Sequence, residues 1–340
     1  WESRDGRMLS MISKDATLSE KVFSKDIEMK PTRDGFGTGT VEAGKNDANV
    51  VVLCADLKES TRAEWFENEF PDRFIEVGVA EQNMATVAAG MAAVGKRPFI
   101  ASYAAFNPGR NYEQIRTTIA LNDVPVVVCG MHAGVSVGPD GATHQMLEDI
   151  GMMRMLPRMN VLVPGDAEEA RKAVLAAATA STPTYIRFGR SPVATFTTSE
   201  TPFEIGKAMA VWDSEKPKVV LMSTGSLTYE ALLAARALAS EGIEVSVLHV
   251  PSVKPLDYEM VIDYARRAGR VITLEEHQVA GGFGSAICES LSESYPVPVM
   301  RLGLKDVFGQ SGTPEELLAH YGLTAPGIIA SVRKMINTPL

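Results

Sequence analysis

Glu81 stands where an apolar, β-branched run (residues 74–79, FIEVGV) gives way to an Ala-rich helical run at 81–93. Apolar and small residues surround it in the sequence, and a carboxyl group desolvated in this way has its pKa raised. A neutral carboxylic acid can donate a hydrogen bond to a ring nitrogen, which an ionised surface glutamate cannot. The simpler reading is an acid in a first helical turn, complementing the helix dipole, and the local pattern alone favours it. Other residue types capable of chemistry follow apolar runs. Tyr103, Phe106 and Tyr112 come after the run at 98–101 and could stack on a flat heterocycle, or pack a core. The Gly-rich loop 132–145 carries His132, Asp140 and His144. Histidine titrates near neutrality and can move protons or bond a phosphate. A metal is the rival ligand there, although the three residues lack a familiar metal-ligand spacing. Arg187 and Arg190 end a further apolar run. Two arginines at the mouth of a sheet invite an anion; a solvated strand end with surface salt bridges is the alternative.

The elements that must position these residues are legible as alternating runs. Strands are expected at 50–55, 74–77, 98–101, 124–129, 161–163 and 184–188, with helices between them at 81–93, 112–121 and 167–179. The second half repeats the theme, with strands at 219–223, 245–249, 271–275 and 299–301. Its helices are expected at 228–241, 257–268, 284–292, 314–320 and 326–336. Continuous apolar strands alternating with helices predict an α/β protein of two domains, each a mostly parallel sheet covered by helices. In such open sheets ligands bind beyond the carboxyl ends of the strands, where the candidate residues fall. Pro192, a Thr/Ser cluster and Pro202 break the rhythm. The expected division is an N-terminal tail 1–28, a first domain 29–195, a linker 196–206 and a second domain 207–340. The turn EEHQVAGGFG at 275–284 lacks the G-x-G-x-x-G order of a dinucleotide site, so tight helix–strand packing is its expected role.

The chain has 340 residues, enough for two ordinary cores, with 45% hydrophobic and 22% charged residues. A net charge of −9 with no basic stripe argues against nucleic acid as a partner. No apolar run approaches a membrane span, and residues 1–15 have no apolar signal region. Cys54, Cys129 and Cys288 are far apart and lie in or beside apolar runs. Buried free thiols and a reducing cytoplasm are expected.

The wording of four segments resembles the transketolase family: GVAEQNM at 78–84, YAAF with YEQIR at 103–116, GPDGATHQ at 138–145 and the EEH-x3-GG-x-G run at 275–284. The resemblance implies a thiamine diphosphate (ThDP) enzyme. Glu81 would bond the aminopyrimidine ring and promote the imino form that takes the proton from C2 of the thiazolium. Phe106, Tyr103 and Tyr112 would enclose that ring, although the intervening NPGRN (107–111) departs from the family pattern. Asp140 would contact a substrate hydroxyl, His144 would bind substrate and move protons, and His132 and Arg190 would hold the sugar phosphate. Arg187 would be structural. The loop DLKESTR (56–62) matches the family segment near the substrate entrance, giving Ser60 and Arg62 as phosphate contacts.

The family's diphosphate-binding domain carries a Gly-Asp-Gly that holds Mg²⁺ (or Ca²⁺) through oxygen ligands, and no such triplet occurs here. The resemblance covers about residues 30–336, corresponding to the pyrimidine-binding and C-terminal domains. It therefore implies the C-terminal subunit of a split transketolase, or a fragment of a longer one. The expected partner is an N-terminal subunit with the diphosphate domain, in an α₂β₂ assembly acting on sugar phosphates; the chain alone should be inactive. The rival readings are the β subunit of a 2-oxo acid dehydrogenase, a 1-deoxyxylulose-5-phosphate synthase-like enzyme, and a non-catalytic binding module.

Overall fold

A computed structural model describes residues 11–338. The first half builds a seven-stranded sheet from β2 (Val50–Cys54), β3 (Phe74–Glu76), β4 (Arg97–Tyr103), β5 (Val127–Met131), β6 (Asn160–Leu162) and β7 (Thr184–Arg187). β12 (Ser252–Lys254) completes it, in the order β12-β6-β7-β5-β4-β2-β3. Every pairing in this sheet is parallel except that of β12 with β6. Both faces are buried. Val51, Leu53, Ile100, Val128 and Tyr185 pack into one cluster; Val50, Val52, Phe99, Val127 and Ile186 pack into another. Two covered faces explain the unbroken apolar strands.

The second half forms a five-stranded sheet, β14-β13-β10-β11-β9. It comprises β9 (Met209–Trp212), β10 (Val219–Ser223), β11 (Val245–His249), β13 (Val271–Gln278) and β14 (Val299–Leu304). β9 is antiparallel to β11 and the other pairings are parallel. β1 (Met29–Lys30) and β8 (Val193–Ala194) make a separate antiparallel pair.

Several expectations change. The sheets are not separate: β12 lies after the second sheet's β11 in the chain yet joins the first sheet, and Val220, Leu248 and Val271 share a core cluster with Val51 and Ile100. The segment expected as a linker is packed, with Phe196 fully buried and the Thr197 amide and hydroxyl each donating to Asp166 at 2.7 Å. Residues 11–28 of the expected tail pack on the second sheet, where Ile12 bridges Trp212 and Phe23 meets the Trp212 ring edge-on. Residues 1–10 of that tail, and 339–340 of the expected second domain, lie outside the described residues. The helix expected at 112–121 starts as α (Tyr112–Gln114) and continues as π (Ile115–Ala120).

The Gly-rich stretch Thr32–Asn46, absent from the sequence-read elements, is a 15-residue helix. Glycine is a poor helix former, so close packing must compensate. A Cβ at Gly35 would lie 2.2 Å from the Ala167 carbonyl oxygen, and one at Gly39 2.8 Å from Val174 Cβ. The glycines let this helix lie directly against the helix Ala167–Thr179.

Candidate functional site at the carboxyl edge of the first sheet

Because β2, β3, β4, β5 and β7 run parallel, their carboxyl ends share one edge. Ser60 and Arg62 follow β2, Glu81 follows β3, Tyr103 ends β4, His132 follows β5 and Arg190 follows β7. The parallel topology thus collects residues scattered over 130 positions of chain.

Glu81 opens the helix Glu81–Ala93 and is 1% exposed. The turn before it needs glycine at Gly78, whose φ is +69°. Glu76 Oε1 accepts the Asp56 and Gly78 amides, both at 2.8 Å, fixing that turn. The surroundings of Glu81 are polar, which corrects the apolar setting expected from sequence. Arg110 Nη1 meets its Oε2 at 2.6 Å and the Ser102 hydroxyl donates to Oε1 at 3.3 Å. Asn111 donates to its main-chain carbonyl at 3.1 Å and to Asn107 Oδ1 at 2.9 Å. Asn107 donates to the Ile100 and Cys129 carbonyls, both at 3.1 Å. The NPGRN segment therefore braces Glu81 against β4 and β5, a role that its sequence did not reveal.

Beside Glu81 lies a cluster of rings. Tyr103 and Phe106 are stacked, with centroids 6.1 Å apart and planes 14° from parallel. His132 is 4.2 Å from Tyr103, and His144 stands edge-on to Phe106 at 5.7 Å. The Arg110 guanidinium sits over Phe106 at 4.5 Å, tying the rings to Glu81. Tyr112 does not join them. Its ring packs on the apolar core and its hydroxyl donates to the Met152 carbonyl at 3.1 Å.

A cationic group adjoins the rings. Arg33 Nη1 donates to the Ser60 carbonyl at 2.7 Å and to His132 Nε2 at 3.1 Å. With Nε2 accepting, the ring proton of neutral His132 resides on Nδ1. Burial, then the charges of Arg33 and Arg190, push the His132 pKa down to about 3. His132 is thus a neutral donor near pH 7, not the residue titrating near neutrality expected from its type. Burial, then Arg62, lowers Arg33 from its ordinary value, with Arg190 adding to the effect. His132 Nδ1 and Arg33 Nε are buried donors without a partner in the protein, and donors so placed beside gathered cations suit an anion. Arg62 is partly committed, its Nε meeting Asp34 Oδ1 at 2.8 Å.

Arg190 Nη1 donates to the Val137 carbonyl at 3.1 Å and lies 3.5 Å from Asp140. Asp140 is exposed, and His144 Nδ1 is 2.9 Å from the Thr143 hydroxyl. Arg33 is the residue that sequence reasoning missed. The available signal was Pro31-Thr32-Arg33 at a helix start, hidden by the glycines that follow. Thr32 accepts the Gly189 amide at 2.7 Å, bringing that helix start to the strand end that carries Arg190.

Arg187 turns into the interior, where its Nε meets Asp149 Oδ2 at 2.8 Å and Tyr185 donates to the same oxygen at 2.7 Å. Among the described residues no group of three or more His, Cys, Asp or Glu side chains could hold a metal ion. The three cysteines are free, and no helix among the described residues is long and apolar enough to cross a membrane.

Residues 28–195 match the family described as transketolase, pyrimidine binding domain, and residues 208–328 match transketolase, C-terminal domain. The chain belongs to the transketolase family. It is 37% identical to a 6-deoxy-6-sulfo-D-fructose transketolase subunit, SqwH, from Clostridium sp. (strain MSTE9), over 92% of this chain and 97% of that protein. Mouse (Mus musculus) transketolase is 36% identical over 90% of this chain, which spans 49% of the mouse protein. A solved structure titled "Split gene transketolase, inactive beta4 tetramer" superposes with a TM-score of 0.84 at 44% identity, covering 90% of this chain and 98% of the other. The transketolase fold thus accounts for both sheets and for the edge on which the candidate residues gather.

Proposed function

We propose that this chain is the C-terminal subunit of a ThDP-dependent split transketolase, moving a two-carbon ketol unit from a ketose phosphate to an aldose phosphate. One observation carries the reading: buried Glu81 beside the Tyr103–Phe106 stack, next to the cations Arg33 and Arg190 and the neutral donor His132. A buried carboxyl group and a flat aromatic face fit an aminopyrimidine ring; gathered cations with unpartnered donors fit a sugar phosphate.

When bound, ThDP supplies the carbanion chemistry that breaks and remakes the carbon–carbon bond. The protein residues do the rest. Glu81 holds a proton at its carboxyl toward the ring nitrogen. For that contact the carboxyl must share or leave its bond to Arg110, whose side chain is 44% exposed and can turn to solvent. Phe106 and Tyr103 hold the ring's plane. Asp140 and His144 contact substrate hydroxyls and move protons near the reacting carbons. Arg33, His132 and Arg190, with Ser60 and Arg62 at the entrance, hold the phosphate. Tyr112 supports the site from the core.

The diphosphate and its Mg²⁺ are assigned to an N-terminal partner subunit, in an α₂β₂ assembly in a reducing cytoplasm. The near-complete match to a protein that is itself a subunit supports this, as does the split-gene structure. The test is two-carbon transfer from xylulose 5-phosphate to ribose 5-phosphate with ThDP and Mg²⁺. Activity is expected when the chain is mixed with a partner bearing the Gly-Asp-Gly segment. Activity from the chain alone, or from neither sample, would overturn the reading.

A further inference from the structure

The loop that carries His132, Asp140 and His144 contains Gly134, Gly138 and Gly141, at φ of +90°, +82° and +72°. Beyond a β-bridge between Ala133 and Met146 at its ends, its regular structure is one short turn, Val135–Val137. A segment this rich in glycine has wide conformational freedom when unbraced. The second domain grips it at two points.

The first grip is Glu276, in β13, which is 6% exposed. Its Oε1 accepts the Ser136 amide at 2.5 Å. Gly134 makes room for that carboxylate, since a Cβ there would lie 2.3 Å from Oε1. The hold passes on through the Ser136 carbonyl, which accepts the Ser191 hydroxyl at 2.7 Å, one residue from Arg190. Glu276 is itself fixed: Arg187 Nη2 donates to its main-chain carbonyl at 2.8 Å.

The second grip is Gln145, 4% exposed. Its Nε2 lies within hydrogen-bond reach of the Gly138 carbonyl at 3.0 Å and the Gln310 carbonyl at 2.9 Å, joining the loop to the second domain. Gly309 is the enabling residue, because a Cβ there would fall 1.8 Å from Gln145 Oε1. A buried carboxylate and a buried carboxamide are costly to desolvate, and here both bond loop backbone.

We propose that Glu276 and Gln145 are positioning residues through which the C-terminal domain sets the geometry of the substrate loop. The assignment rests on the reading of that loop under the proposed function. Each acts through backbone, in the way a supporting shell holds a site.

The test uses the chain assembled with its diphosphate-domain partner. Glu276→Ala leaves the Ser136 amide unsatisfied and should raise KM for phosphorylated sugars roughly tenfold. Exchange of the C2 proton of ThDP should stay unchanged, since Glu81 is tied to other elements. Glu276→Gln keeps an oxygen acceptor for Ser136 and should restore KM. Gly309→Ala displaces Gln145 from the other domain and should also raise KM. Hydrogen exchange on the chain itself should show amides 136–141 losing protection in Glu276→Ala while β5 keeps its own. Wild-type KM in both Ala variants, unchanged protection at 136–141, or a Gln variant as impaired as Ala would each overturn the proposal. So would a parallel loss of C2-proton exchange, which would mark general damage. If Glu276→Ala does not fold, Gly309→Ala and its exchange pattern decide. If the wild-type complex transfers no two-carbon unit, the functional reading fails, whereas the hydrogen-exchange comparison still decides whether Glu276 holds the loop.

Discussion

Glu81 illustrates how one side chain's chemistry depends on neighbours that sequence does not order. Its position at a strand-to-helix junction was legible, but its contacts with Ser102 in β4 and with Arg110 and Asn111 in the turn after β4 come from elsewhere in the chain. Glu81→Gln removes the carboxyl while leaving a similar shape, and Arg110 can take water as its partner. In the assembled complex this variant should keep its thermal midpoint and lose C2-proton exchange by at least about a hundredfold, as removal of an acid–base group does. Exchange at the wild-type rate would exclude the role. His132 makes a different prediction. Its folded pKa of about 3 lies below the ordinary value of 6.5, so the unfolded chain binds the extra proton between them. The stability from keeping His132 neutral is complete above about pH 6.5 and is lost as pH falls toward about 3. His132→Asn has nothing to titrate there, so its fall in Tm from about pH 7 to about pH 5 should be smaller than wild type's. An equal fall would show that His132 is not held neutral.

At the scale of elements, the strands were legible because two covered faces demand continuous apolar runs, and the helix Glu81–Ala93 because its residues are strong helix formers. The helix Thr32–Asn46 was not, because propensity argues against a helix with four glycines in 15 residues. Its reason is packing: Gly35 meets the Ala167 carbonyl and Ala170 Cβ at distances no side chain allows. Gly35→Ala must push the two helices apart and should destabilise the fold by about 1–3 kcal/mol, the usual range for overpacking. Denaturant unfolding at constant m-value measures this, and an unchanged midpoint would show the helices to be loosely packed. Because Arg33 lies in the first turn of that helix, the same substitution should also weaken sugar-phosphate binding.

At the scale of the whole molecule, the two domains share one core and one sheet through β12, so each depends on the other. A large cleft of about 1060 Å³ at their junction is lined by Met152, Met155 and Phe308, with Met155 70% and Phe308 77% exposed. Exposed apolar surface of this kind is characteristic of association sites. Light scattering on the mixture with an N-terminal partner should give the mass of an α₂β₂ complex. A persistent αβ mass would refute that stoichiometry.

The sequence by itself determined the α/β class, the positions of the main strands along the chain, and the residues that fall on the candidate edge: Ser60, Arg62, Glu81, Tyr103, Phe106, His132, Asp140, His144 and Arg190. It could do so because strand periodicity and the wording of short motifs are local properties of the chain. Only the tertiary structure decided that Arg33 joins Arg190 and His132, that Tyr112 belongs to the core, that Asn107 and Asn111 brace Glu81, and that Glu276 reaches the loop 132–145. Each of those facts is a contact between residues far apart in the chain, or a burial created by packing, and neither is written in the identity of the residue.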